Sequence, residues 1–150
     1  MSVTTPTGFV AAGIAAGIKT GDRLDLAVVS NLGPRFAAAG VFTRNRVFAA
    51  PVDWSRRVVA DGQLRAVVLN SGGANACTGR PGFEDAGAMA EATATGLGVR
   101  AGEVAVCSTG LIGVRLPMAE VTSGIERACS RLSREGGEDA ATAIMTTDTV

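Results

Sequence analysis

Residues 66–79 read AVVLNSGGANACTG and residues 104–113 read VAVCSTGLIG, and these two stretches decide the fold. Each begins with a short apolar run, which is typical of a buried strand, and continues into Gly, Ser, Thr and Asn. We expect the strands to end at Leu69 and Cys107, where the small polar residues begin. Because backbone N–H groups and hydroxyls at such an end can hold an anion, a carbonyl or a developing oxyanion, both ends are candidate sites.

The remaining elements follow from apolar runs and their breakers. Residues 8–18 are apolar but rich in glycine, which predicts a strand with a bend or bulge. Short apolar runs at 24–29 and 38–43 flank a turn at 31–34 and predict an antiparallel pair. Pro51 suits the first turn of a helix. Later helices and strands alternate, and we expect helices at 86–97, 118–132 and 139–145, and strands at 64–69 and 104–107. A β-rich start followed by alternating elements predicts a layered α+β fold.

Composition excludes several classes of protein. The 150 residues carry 14 basic and 14 acidic side chains, and aromatic residues make up only 4%. A neutral chain without a basic stripe, and with few rings on which bases could stack, does not resemble a nucleic-acid-binding protein. The sequence shows neither a secretory signal nor an apolar run of the roughly 18 residues that a membrane span needs. We therefore expect a cytoplasmic protein.

The chain contains no histidine, so none of its chemistry uses an imidazole from this chain. Its cysteines are Cys77, Cys107 and Cys129, and their number and spacing predict neither a disulfide framework nor a metal site. We interpret Cys77 and Cys107 as buried structural thiols. The acidic pairs at 84–85 and 138–139 lie near predicted helix starts, where carboxylates favour the helix dipole, and we interpret them as capping or solvated.

Each candidate strand end has a structural and a functional interpretation. Residues 70–73, Asn-Ser-Gly-Gly, are either a turn or a phosphate cradle, but they match no nucleotide-binding fingerprint and no lysine follows them. Residues 108–110, Ser-Thr-Gly, are either a plain loop or an oxyanion hole. In the second case one hydroxyl and one backbone N–H would be presented at the same point in space.

Six segments, in this order, resemble the glutamate N-acetyltransferases, also called ornithine acetyltransferases or bifunctional arginine-biosynthesis proteins. The segments, which cover nearly the whole chain, are 8–14, 40–45, 50–51, 70–79, 108–113 and 143–148. The resemblance implies transfer of an acetyl group from N-acetylornithine to glutamate through an acetyl-threonine intermediate. It implies no cofactor, although some members accept acetyl-CoA as a second donor substrate.

The resemblance also implies a partner. In this family the precursor cuts itself at an Ala-Thr bond, and the new N-terminal threonine of the β chain is the nucleophile. The family's Lys-Gly-x-Gly-Met stretch and its Met-Ala-Thr cleavage motif are absent from this sequence. Residues 1–150 then form the N-terminal, α-chain part of one catalytic domain, a layered α/β sandwich of the N-terminal-threonine hydrolase-like type. Two such αβ pairs would form an α2β2 assembly.

Three residues match functional positions of the family. Thr109 and Gly110 match the oxyanion-hole pair, and Thr146 matches a threonine that contacts the substrate. Two other interpretations stay open at this point. One is an N-terminal-threonine amidohydrolase or aminopeptidase of similar fold, and the other is a non-catalytic domain that binds a small molecule.

Overall fold

Four strands form one mixed sheet in residues 2–146, the part of the chain that the computed structural model describes. They lie in the order β1-β2-β3-β4; β2 is antiparallel to both β1 and β3, whereas β3 and β4 are parallel. The strands are β1 (Phe9–Ile14), β2 (Leu26–Asn31), β3 (Ala66–Gly73) and β4 (Val104–Leu111), and the α-helices are α1 (Ala50–Val58), α2 (Gly79–Leu97), α3 (Met118–Ser130) and α4 (Gly137–Ala143). Short 3-10 helices occupy Val59–Asp61 and Ala101–Glu103.

Helices cover both faces of the sheet. On one face α2 and α3 bury Met89, Val121 and Ile125 against strand residues that include Val68 and Val106. On the other face α4 packs Ala140 and Ala143 against the alanines of β1 and β2. The predicted layered α+β architecture is confirmed.

Strands β3 and β4 continue through the small polar residues. They pair in parallel as far as Gly73 and Leu111, with Ser71 opposite Thr109 and Gly72 opposite Gly110. The prediction that these strands end at Leu69 and Cys107 is therefore wrong. Each strand offers the other a parallel partner, so residues of low strand propensity stay in the ladder, where their small side chains allow close approach.

Two further predictions differ from the structure. Residues 38–43 form no strand, and only an isolated bridge between Ala37 and Gln63 lies nearby. Val41 is fully exposed, so this run has no face to bury, and β3 takes the place beside β2. Helix α2 begins at Gly79 instead of residue 86, because Gly82 and Asp85 are buried and extend its inner face toward the N-terminus.

A buried carboxylate fixes the segment between β1 and β2. Asp25 is fully buried and accepts four backbone N–H bonds of 2.7–3.2 Å, from each residue of 16–19. Successive N–H groups that converge on one carboxylate form an anion-binding nest. Asp25, the residue directly before β2, thus orders the loop that follows β1.

We expect Asp25→Asn to lower the free energy of unfolding by about 2–4 kcal/mol, because the amide removes the charge and turns one donor toward a buried backbone N–H. Urea denaturation of the purified protein measures this loss. Asp22→Asn is the matched control, since Asp22 is exposed in the same loop and its replacement should have little effect. Equal stability of the two variants would contradict the structural role of Asp25.

Candidate active site

The carboxyl ends of β3 and β4 bring the predicted site residues to one end of the sheet. Thr109 and Gly110 are both exposed, and Thr109 lies opposite Ser71 in the parallel ladder. Ser71 is fully buried, and its hydroxyl donates to the carbonyl of Ala143 at the end of α4. Because paired residues of neighbouring strands project to the same face, the Thr109 side chain lies on the α4 face.

Strand β4 lies at the edge of the sheet, so its outer side has no neighbouring strand in the described residues. Helix α1 covers the first part of this edge: the Ser55 hydroxyl donates to Val106 O and accepts from Val106 N, and Trp54 Nε1 donates to Val104 O. Backbone groups of alternate residues in a strand point to the same side. We therefore expect the N–H of Gly110 to point to the same outer edge as that of Val106, beyond the part of β4 that Trp54 and Ser55 of α1 contact.

Gly110 lies against the backbone of β3. Its φ is +127°, and a Cβ built on it would lie 2.4 Å from the carbonyl carbon of Gly72 and 2.7 Å from the nitrogen of Gly73. Glycine alone tolerates both this φ and this proximity. Buried Asn70 donates from Nδ2 to Gly73 O, which helps to fix the backbone that Gly110 contacts.

Thr146 lies at the same end of the molecule. Helix α4 ends at Ala143, three residues before Thr146, and the carbonyl of Ala143 accepts from the Ser71 hydroxyl. Lys19 Nζ donates to Met145 O over 2.6 Å. The structure thus places Thr109, Gly110 and Thr146 at one end of the sheet, while their roles stay predictions. Residues 147 and 148, which belong to the matching segment 143–148, lie outside the described residues.

An ion pair between Arg115 and Asp85 holds the loop that follows β4 against helix α2. Arg115 donates from Nε and Nη2 to the two oxygens of Asp85, at 3.0 and 2.5 Å, and this bidentate contact raises the pKa of Arg115. Asp85 is buried in α2, so the interpretation of residues 84–85 as capping or solvated is wrong for Asp85. Its partner is 30 residues away, and no local pattern identifies such a pair.

Two of the three thiols are not where the sequence predicts. Cys77 and Cys107 are exposed, which contradicts their interpretation as buried structural thiols. Cys77 follows the end of β3, and Cys107 pairs with Leu69 and lies on the same face of β4 as Thr109. Cys129 is half-buried between α2 and α3, and burial raises its pKa to about 11.

We expect the Cys129 thiol to react with iodoacetamide far more slowly than the Cys77 thiol. At pH 8 a thiol of pKa about 11 is only about 0.1% thiolate, the reactive form. Peptide mass spectrometry of the alkylated protein measures both sites in one sample, with Cys77 as the internal control. The Cys129 rate should rise about tenfold per pH unit from pH 8 to pH 10; a plateau below pH 9 would contradict the raised pKa.

Within residues 2–146, no cluster of three or more His, Cys, Asp or Glu side chains could hold a metal ion. None of the helices there is long and apolar enough to cross a membrane. An open cleft of about 520 Å³ between α1 and the start of α2 is lined by residues such as Phe48, Cys77 and Phe83, but by none of the three predicted site residues. Because Thr109 and Gly110 are exposed, the candidate site lies on the open surface of the described part of the chain.

Comparison with known proteins identifies the family. The model of the ArgJ family matches residues 10–150. The chain belongs to the ArgJ family. It is 61% identical to the arginine biosynthesis bifunctional protein ArgJ of Thermobifida fusca and 64% identical to that of Streptomyces coelicolor, in each case over all 150 residues. It spans 39% of the length of each of these ArgJ proteins.

Solved ArgJ structures have the same fold. Ornithine acetyltransferase from Mycobacterium tuberculosis, determined in complex with ornithine, superimposes with a TM-score of 0.97 at 58% identity, covering 99% of this chain and 81% of that one. The ArgJ protein of Bacillus halodurans superimposes with a TM-score of 0.91 at 40% identity and covers all of this chain and 78% of that one. These matches confirm the family resemblance and the predicted type of fold.

Proposed function

We propose that this chain is the α subunit of an ArgJ acetyltransferase that moves an acetyl group from N2-acetyl-L-ornithine to L-glutamate. The observation that carries the proposal is the exposed Thr109–Gly110 pair at the carboxyl end of β4, beyond the part of this strand that α1 contacts. The Thr109 hydroxyl and the Gly110 N–H are two donors of the kind that stabilise a tetrahedral acyl-transfer intermediate. Membership of the ArgJ family and the name of the ornithine acetyltransferase neighbour support the choice of reaction.

In the proposed mechanism the nucleophile comes from a β chain that begins with threonine. Its hydroxyl attacks the acetyl carbonyl of N-acetylornithine while its own α-amine takes the proton, which suits a chain without histidine. The Thr109 hydroxyl and the Gly110 N–H donate to the oxyanion. As the intermediate collapses, its C–N bond breaks, the protonated α-amine gives its proton to the leaving amine, and ornithine departs from an acetyl-threonine ester. The amine of glutamate then attacks this ester through a second oxyanion at the same donors. The C–O bond to threonine breaks, and the threonine oxygen regains a proton from the attacking amine through the α-amine. Thr146 positions the amino-acid substrate.

The uncovered surface suits a β chain as partner. At the last residue of β4 and in the loop that follows it, Leu111, Ile112 and Val114 are 59–68% exposed. An open strand edge next to exposed apolar side chains is a surface that proteins normally cover. Residues 1–150 would then be one part of a single catalytic domain, with the β chain supplying the rest and two αβ pairs forming α2β2.

The remaining parts of the proposal concern substrates and cellular context. No cofactor takes part in either half-reaction, and acetyl-CoA serves as a second acetyl donor for members that accept it. The product, N-acetylglutamate, would serve arginine synthesis, and the enzyme would work in the cytoplasm. No nucleic acid or membrane takes part.

The first test is the intact mass of every polypeptide in the natively purified full-length protein. We expect two chains, the second beginning with threonine, together with formation of N-acetylglutamate from N-acetylornithine and glutamate. Release of free acetate without N-acetylglutamate would instead identify an amidohydrolase. A single uncleaved chain without transfer activity would overturn the proposal and leave a small-molecule-binding domain.

A further inference from the structure

We propose that Lys19 is a positioning residue that holds the chain before Thr146 against the end of strands β3 and β4, and so sets how tightly the amino-acid substrate binds. This inference rests on the proposed function for its catalytic consequence. Lys19 is the only lysine in the chain, and it matches no motif that the sequence alone assigns to the site.

The first step is the rigidity of the backbone around Lys19. The buried Asp25 carboxylate accepts the N–H groups of Ile18 and Lys19 at 2.7 and 2.8 Å, both on Oδ2, in addition to those of Ala16 and Gly17. Because four consecutive N–H groups of this segment are bonded to Asp25, the backbone from which the Lys19 side chain extends is fixed in position. A long, flexible side chain loses less entropy on making a further contact when its backbone is already ordered.

The second step is the contact between this segment and the strand ends. A Cβ on Gly72 would lie 2.9 Å from Ile18 Cγ2 and 3.2 Å from Lys19 Cγ, so the Lys19 stem packs on the bare backbone of β3. Gly72 lies opposite Gly110, and its carbonyl carbon is within 2.4 Å of where a Gly110 Cβ would be. Lys19 thus packs on Gly72, and Gly72 in turn packs on Gly110.

The third step is the hydrogen bond at the tip of the side chain. Lys19 Nζ donates to Met145 O over 2.6 Å, across 126 positions in sequence. The acceptor is the carbonyl directly before Thr146, beyond the last helical residue of α4. Hydrogen bonds with an ionised donor are shorter and stronger than neutral ones. The Lys19 side chain therefore links the residue before Thr146 to Gly72, the β3 residue that packs against Gly110.

The experiment uses the full-length protein with both chains and compares Lys19→Met, Lys19→Arg and Arg23→Met. Methionine keeps an apolar stem over Gly72 but cannot donate, whereas arginine restores a charged donor. Arg23 is the matched control: it lies in the same loop, and among the described residues its side-chain hydrogen bonds go to Thr20 alone. We expect Lys19→Met to raise KM for N-acetylornithine about 10- to 100-fold, as loss of a charge-assisted bond predicts, with a smaller effect on kcat.

Lys19→Arg should recover most of that loss, and Arg23→Met should behave like wild type. A double-mutant cycle with Thr146→Val separates positioning from general damage to the fold. If Lys19 acts through Thr146, Lys19→Met should change KM little once Thr146 is already replaced. Additive effects in this cycle, or an unchanged KM in Lys19→Met, would overturn the proposal.

A readout independent of activity separates this inference from the proposed function. Amide hydrogen exchange at residues 144–146 should accelerate in Lys19→Met and stay unchanged in Arg23→Met. If wild type shows no acetyl transfer but this exchange difference appears, the function fails and the tether by Lys19 stands. If transfer occurs and exchange at 144–146 is the same in Lys19→Met and wild type, the function stands and the tether is wrong.

Discussion

Replacing Thr109 by alanine is expected to lower kcat of the assembled two-chain enzyme by about 100- to 1,000-fold while changing KM little. The hydroxyl is proposed to donate to an oxyanion that exists only in the transition state and in the intermediate after it. Its loss therefore removes stabilisation that the bound substrate does not use. Thr109 is exposed on the edge strand, and alanine is compatible with its strand backbone, so the fold should survive.

Thr109→Ser and Thr122→Ala are the controls for this variant. Serine keeps the hydroxyl and should retain most of the rate. In the part of the chain that the structure describes, Thr122 bonds only within α3, and its replacement should leave kcat unchanged. Steady-state formation of N-acetylglutamate gives kcat and KM, after intact mass has shown that each variant contains both chains. A kcat for Thr109→Ala within threefold of wild type would remove Thr109 from the mechanism.

An element of this fold can be predicted from the sequence when the interactions that form it are visible in its own residues. The apolar runs that end at Leu69 and Cys107 identify strands β3 and β4, because their burial is visible in their own residues. The continuation of those strands to Gly73 and Leu111 depends on a pairing that neither stretch contains alone. The pattern of apolar residues indicates which segments are buried, but it does not indicate which strands pair with each other.

The candidate site divides in the same way. Thr109 and Gly110 can be selected by residue type, since a hydroxyl followed by glycine after a strand is an arrangement with chemical use. Asp85 and Lys19 cannot, because their partners, Arg115 and Met145, lie 30 and 126 positions away in the sequence. Contacts of such long sequence separation leave no periodic signal, so the residues that support a site are harder to predict than the residues that form it.

Gly110→Ala is expected to be the most damaging single substitution at the site. The new Cβ would lie 2.4–2.8 Å from three backbone atoms of Gly72 and Gly73, and the φ of +127° is one that alanine rarely adopts. Backbone cannot move aside as a flexible side chain can, so β4 must shift away from β3. We expect a loss of about 2–4 kcal/mol in stability together with a rate below that of Thr109→Ala, because both oxyanion donors lie on the displaced strand end.

Gly113→Ala is the matched control for Gly110→Ala and separates backbone strain from lost space. Gly113 also has a positive φ, +83°, but a Cβ there would meet no atom of residues 2–146 within 4 Å. Both variants carry the cost of an unfavourable φ, and only Gly110→Ala adds the collision with β3. In the transfer assay Gly113→Ala should therefore have a rate close to that of wild type and Gly110→Ala a rate far below it. Urea denaturation should show a larger loss of stability in Gly110→Ala than in Gly113→Ala. Equal rates in the two variants would mean that close packing of Gly110 on Gly72 does not position the oxyanion donors, and the geometry proposed for the site would be wrong.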